Sequence, residues 1–175
     1  MELNKLIQIR DSINANIIIG IENKAKFMFD RQGRVRFSYD LNARSLVDII
    51  AKYRSKKVVM VLDTCHLLGY HRSISIMDNN YSWIKEFNSD LDYILSKGVV
   101  EYIHLNNAID LGVTKMTHSS VFKTEEDKCL LKDIVDKLKK YSFTGKIVAE
   151  VNEKDYNKPV NTRYSIDLYK EVLMW

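Results

Sequence analysis

Hydrophobic and polar positions along the chain fall into two kinds of block. Short apolar runs occur at Ile17–Ile21, Val58–Leu62 and Ile147–Ala149, and a further strand, Val99–Asn106, carries Val99, Val100, Tyr102 and Ile103; the unbroken run Val58–Leu62 is what a strand buried on both faces shows. Between them lie longer stretches with apolar residues at helical spacing. Leu3, Leu6, Ile7 and Ile13 give one stripe to a helix from about Glu2 to Ser12. Leu46, Val47, Ile49 and Ile50 do so for Ala43–Arg54. Trp83, Ile84, Phe87, Leu91, Ile94 and Leu95 do so for Tyr81–Lys97, and Leu130, Leu131, Ile134, Val135 and Leu138 for Glu125–Tyr141. A last helix is predicted at about Tyr164–Met174, after a loop around Pro159. Local signals support these boundaries. Asn42 is placed to cap the second helix, Gly98 to end the third, and Thr124 with Asp127 to form a box-like cap on the fourth. Lys24–Asp40, Leu67–Asn80 and Asn107–Lys123 read as loops. The order is one helix, then four strand–helix units. Strands joined through helices pair in parallel, which predicts an α/β fold of parallel strand–helix repeats with every strand C-terminus on the same side.

That side is where the chemistry gathers. The first strand runs into Glu22, the second into Asp63 with His66 in the turn D-T-C-H, the third into His104, and the fourth into Glu150. Each residue taken alone has a plain structural reading: a solvated strand-end carboxylate, or a satisfied core histidine. Four strands all ending in a ligand-type residue point instead to a metal site. Three carboxylates and an imidazole suit zinc, manganese or iron. Such an ion acts as a Lewis acid on phosphoryl oxygen and lowers the pKa of bound water.

Composition narrows the class. A chain of 175 residues, 46% hydrophobic and 29% charged, is sized for one domain (1–175) with a real core. No segment is long and apolar enough for a transmembrane helix, so no membrane partner is expected. Cys65 and Cys129 are too few for a disulfide framework, which points to an intracellular, reducing setting, cytoplasmic or nucleoid/nuclear. The net charge of +4 permits nucleic-acid binding without requiring it. The Lys24–Asp40 stretch interleaves Lys24, Lys26, Arg31, Arg34 and Arg36 with Phe27, Phe29 and Phe37. It could grip a phosphate backbone, or fold its aromatics back on the core as a hairpin-like excursion.

The motifs L-D-T-C-H at Leu62–His66, H-L-N at His104–Asn106, I-E-N at Ile21–Asn23 and A-E-V around Glu150 resemble the endonuclease IV family of AP (abasic-site) endonucleases. These belong to the xylose-isomerase-like TIM barrels. The resemblance covers nearly the whole chain and the C-terminal half of that barrel, so it implies a partial (half) TIM barrel of about four strands. It implies that Glu22 is the bridging glutamate. Asp63, His104 and Glu150 then complete one zinc position, His66 serves a further zinc, and His118 a third. Glu22 and Glu150 become the catalytic carboxylates. The implied activity is zinc- or manganese-dependent cleavage of DNA at abasic sites. Three departures matter. Gly112–His118 reads GVTKMTH, with Met116 where the family has an aspartate ligand, and Asn107 replaces another aspartate. Two further histidine ligands lie on earlier strands of the family's barrel, which this chain does not contain. The chain alone is therefore expected to be a weaker enzyme. It is also expected to self-associate, to use a partner chain for the missing half-barrel, or to fold its outer segments over the open edges. A sugar isomerase or epimerase on the same superfamily fold, and a non-catalytic remnant, remain as alternatives.

Overall fold

The computed structural model describes residues 3–13, 16–24, 27–29, 35–38, 42–110 and 116–173. Its centre is a four-stranded sheet of β1 (Ile19–Glu22), β4 (Val58–Asp63), β5 (Val100–His104) and β8 (Lys146–Val148), in the order β1-β4-β5-β8. All three pairings are parallel, as the strand–helix alternation predicts. The register places Glu22 beside Val61, Asp63 beside His104, and His104 beside Val148. The candidate ligands on β1, β4 and β5 thus share one sheet end.

Alternation along each strand divides the sheet into two faces. Val58, Met60, Leu62, Ile103 and Leu105 join the hydrophobic core. They pack with Val47 and Ile50 of α2 (Ala43–Ala51), with Phe87, Leu91 and Ile94 of α4 (Trp83–Ser96), and with Leu131, Ile134 and Leu138 of α5 (Glu125–Lys140). Met60, Leu62, Phe87 and Leu131 are fully buried, each worth about 1.5–3 kcal/mol of transfer from water. The intervening positions, ending in Asp63 and His104, lie on the other face.

The caps form as read. Asn42 accepts the Ser45 N–H, and Thr124 with Asp127 makes a reciprocal capping box. Gly98 follows α4 at φ 60°, a left-handed conformation that glycine adopts without Cβ strain.

Several boundaries differ from the sequence reading. Thr64–Met77 is a helix, α3, where Leu67–Asn80 reads as a loop. Its buried residues are Thr64, Cys65, Leu67, Leu68, Gly69, His71 and Ser73, spread round the helix rather than along one stripe, so the helical period is hidden. The loops Lys24–Asp40 and Asn107–Lys123 contain antiparallel hairpins: β2 (Phe27–Phe29) with β3 (Val35–Ser38), and β6 (Asn107–Asp110) with β7 (Met116–Ser120). Ile13, following α1 (Leu3–Ser12), and Ile84 on α4 point to solvent, at 64% and 44% exposure. The last helix, α6 (Val160–Leu173), starts directly after Pro159, whose fixed φ suits a helix start. The fourth strand stops at Val148, so Glu150 sits two residues past its end.

Candidate metal centre

The D-T-C-H turn has a simple physical logic. Asp63 is both the last residue of β4 and the N-cap of α3, and its Oδ1 accepts the N–H of His66 at 3.1 Å. A carboxylate in this position satisfies a free helix N–H and complements the helix dipole. The same turn throws the His66 ring back over the strand end. Its Nε2 lies 3.7 Å from Asp63 Oδ2 and 3.5 Å from Glu22 Oε1.

From β5, His104 presents Nδ1 to three carboxylates. It lies 2.8 Å from Glu150 Oε2, 3.8 Å from Glu22 Oε1 and 3.8 Å from Asp63 Oδ2. This nitrogen is buried and makes no hydrogen bond, with the Glu150 carboxylate at ion-pair distance. Ligands at ~2.1 Å around one divalent ion sit roughly 3.0–3.4 Å apart, so the 3.8 Å spacings of His104 to Glu22 and Asp63 would close by a few tenths of an ångström around an ion. Glu22, Asp63 and His104 each offer one ligand atom within 4.8 Å of the others. This donor set of two carboxylate oxygens and an imidazole nitrogen fits a divalent ion and does not by itself distinguish zinc from manganese. Glu150 stands at the edge of the group, half exposed, with Oε2 turned to His104.

Lys24 completes the cluster. Its Nζ is 3.3 Å from Glu22 Oε2 and 3.3 Å from His66 Nε2. His118 and Met116 fall on β7, whose side chains lie outside the described residues, as do Gly112–Lys115 and, in the basic loop, Lys26, Arg31 and Arg34. Asn107 turns away from the cluster. It donates to Asp127 Oδ1 at 2.7 Å and lies 3.5 Å from Arg72 Nη1. Burial raises the Asp127 pKa, but hydrogen bonds from Thr124, Asn107 and Lys123 outweigh it and hold the carboxyl below its ordinary range.

Three residues that sequence reasoning passed over hold the strand ends together. Asn23, 2% exposed, accepts the Asp63 N–H at 2.8 Å and donates to the Asp63 carbonyl at 3.0 Å, tying β1 to β4. The Thr64 hydroxyl donates to the Asn106 carbonyl at 2.6 Å and accepts its N–H at 2.9 Å, tying β4 to β5. Asn106 Oδ1 then accepts the Glu150 N–H at 2.8 Å, reaching across to the end of β8. Tyr169 of α6 donates to the Leu105 carbonyl, and burial pushes its phenol pKa upward. The signal was present in the sequence: each clamp stands one or two residues after a strand-end ligand, in E-N, D-T and H-L-N. Backbone groups buried where a ladder stops need partners, and these side chains supply them.

Comparison with protein-family models, curated proteins and solved structures finds no match to the chain.

Proposed function

We propose that this chain is a metal-dependent phosphodiester hydrolase of the endonuclease IV type, acting on abasic sites in DNA. On this reading the four parallel strands are half of an eight-stranded barrel. The single observation that carries it is the convergence of Glu22, Asp63 and His104 at one sheet end, in the motifs that resemble that family. Those three residues hold the ion. A bound divalent ion, zinc or manganese, supplies a Lewis acid for the phosphoryl oxygens and water of lowered pKa. Glu150, beside His104 and reachable from solvent, takes the proton of the attacking water. The basic loop from Lys24 to Asp40 follows the DNA backbone, so affinity falls as salt rises. Exposed Ile17, Ile18 and Val148 lie on or beside the edge strands β1 and β8, where a second copy or a partner chain would complete the barrel. An intracellular setting follows from the substrate.

The test is a labelled duplex with one abasic site, incubated with zinc or manganese. Wild type should cut it, more slowly than a complete barrel would. Glu150→Gln should cut it ~100- to 1,000-fold more slowly still, the usual cost of one transition-state group. Cleavage unaffected by Glu150→Gln refutes the assignment of the base.

A second reading has an observation of its own. Glu22 and Glu150 both approach His104 Nδ1, at 3.8 and 2.8 Å. Two carboxylates around one ion suit proton transfer next to a sugar carbonyl, as in an isomerase or epimerase. Aldose–ketose exchange followed by NMR separates the two activities, and failure to take up any ion would leave a non-catalytic remnant.

A further inference from the structure

Glu22 divides its two oxygens. Oε1 faces the imidazoles of His66 and His104, at 3.5 and 3.8 Å, and Oε2 faces Lys24 Nζ at 3.3 Å. The same ammonium is 3.3 Å from His66 Nε2. Lys24 therefore sits between a glutamate oxygen and an imidazole nitrogen, the two atoms that a second ion bridged by Glu22 would use.

We infer that the Lys24 ammonium stands in for a second metal ion, so that the cluster takes one divalent ion and Lys24 supplies the neighbouring positive charge. The inference rests on the metal-centre reading above. Two further features support it. Glu22 and Lys24 are two residues apart, and their side chains meet at 3.3 Å just past the end of β1. Asn23 between them points the other way and is fixed to both backbone groups of Asp63. The register in which Lys24 meets His66 is thus set by buried hydrogen bonds rather than by a flexible surface contact. Repulsion between an ammonium and a divalent ion at such separation excludes the second ion while Lys24 is in place. Lys24 is also 54% exposed, so its remaining N–H groups can reach an anionic oxygen of a phosphodiester bound at the first ion. An ammonium is a compact, strongly hydrated point charge suited to that task.

The experiment is equilibrium dialysis against zinc, and separately manganese, followed by metal analysis. The proteins are wild type, Lys24→Ala, Lys24→Arg and the double variant Lys24→Ala/His66→Ala, with circular dichroism confirming that each is folded. Wild type and Lys24→Arg should hold one ion per chain, Lys24→Ala two, and the double variant one again. Two or more ions in wild type, or a count that stays at one in Lys24→Ala, overturns the inference while leaving the first metal position intact. Absence of any ion from all four proteins overturns the metal-centre reading and this inference with it.

Discussion

Two clusters in this protein pair histidine with carboxylate, and they are built to opposite ends. In the first, His71 of α3 is 2% exposed, and both ring nitrogens are engaged. Nδ1 lies 2.6 Å from the Tyr81 hydroxyl and Nε2 3.1 Å from Asp90 Oδ2. Asp90 is held on its other oxygen by Arg44, which also reaches Ser89 at 2.7 Å and lies over the Tyr93 ring. Burial raises the Asp90 pKa, yet hydrogen bonds from His71 and Arg44 prevail and keep the carboxyl below its ordinary range. This network ties α2, α3 and α4 together through internal partners. In the second cluster His104 Nδ1 is buried among carboxylates without a hydrogen bond. The first arrangement satisfies its polar groups and rigidifies the fold. The second leaves a ligand-type nitrogen for a cation to satisfy. A histidine's chemistry therefore depends on whether the fold closes its shell, and residue type alone does not reveal it.

The contrast predicts that substitutions in the two clusters separate into different measurements. The largest effect is expected for His104→Ala: metal affinity by calorimetry should fall about a thousand-fold, or ~4 kcal/mol, with little change in melting temperature. Asp63→Asn sharpens this point, because asparagine caps a helix about as well as aspartate but does not carry the charge. It should lose the ion while keeping stability to within about 1 kcal/mol. A loss of about 3 kcal/mol of stability in either variant, as large as a broken buried pair costs, would erase the distinction between the clusters.

Next in size, His71→Ala should destabilise the fold by about 3 kcal/mol in denaturant unfolding, since it strips a partner from buried Asp90 and from Tyr81. Metal affinity should stay within a factor of three. A large loss of metal binding would mean that the clusters are coupled.

Asn107→Asp restores the residue that the family resemblance would place there. In this fold the change sets two carboxylates against each other at the 2.7 Å contact with Asp127. It should cost about 2 kcal/mol of stability without adding an ion. Gain of a tightly bound ion would show instead that residue 107 can turn toward the metal centre.

The smallest effect concerns Tyr81. Burial pushes its phenol from an ordinary 10 up to about 12, with the nearby Tyr70, Glu86 and Asp90 contributing. A neutral form favoured by the fold stabilises it fully below pH 10, and that contribution is lost as pH rises through about 12. With partial exposure it amounts to less than ~1 kcal/mol. Ultraviolet titration of wild type against Tyr81→Phe should show the missing tyrosine among the last to ionise.

The central strands were legible because a strand buried on both faces leaves a continuous apolar run, and Val58–Leu62 is such a run. Caps at Asn42 and Thr124 were legible because capping is local. The helix α3 was not. Its buried positions surround the axis, since it packs against both α4 and the β6–β7 hairpin, and a helix enclosed this way has no amphipathic stripe to read. Of the two hairpins, β2–β3 agrees with the hairpin-like reading of Lys24–Asp40, whereas β6–β7 was hidden because its pairing depends on a turn and a cross-strand register rather than on a long periodic run.

What the sequence determined by itself was the α/β alternation, and with it the delivery of Glu22, Asp63 and His104 to one end of a parallel sheet. Topology alone brings strand ends together, because every crossover returns the chain in the same direction. What only the tertiary structure decided was the partnering of each side chain. His71 and His104 are both interior histidines in the sequence, and only packing closes one between Tyr81 and Asp90 and leaves the other facing carboxylates. Lys24 reads as one of several loop cations, and only the register fixed by Asn23 sets its ammonium against Glu22 and His66. Asn107 reads as a lost ligand until Asp127, twenty residues later in the chain, is found to hold it. Asn107 and Asp127 lie 20 positions apart and Lys24 and His66 42, and the geometry of such pairs depends on how neighbouring elements pack rather than on local pattern.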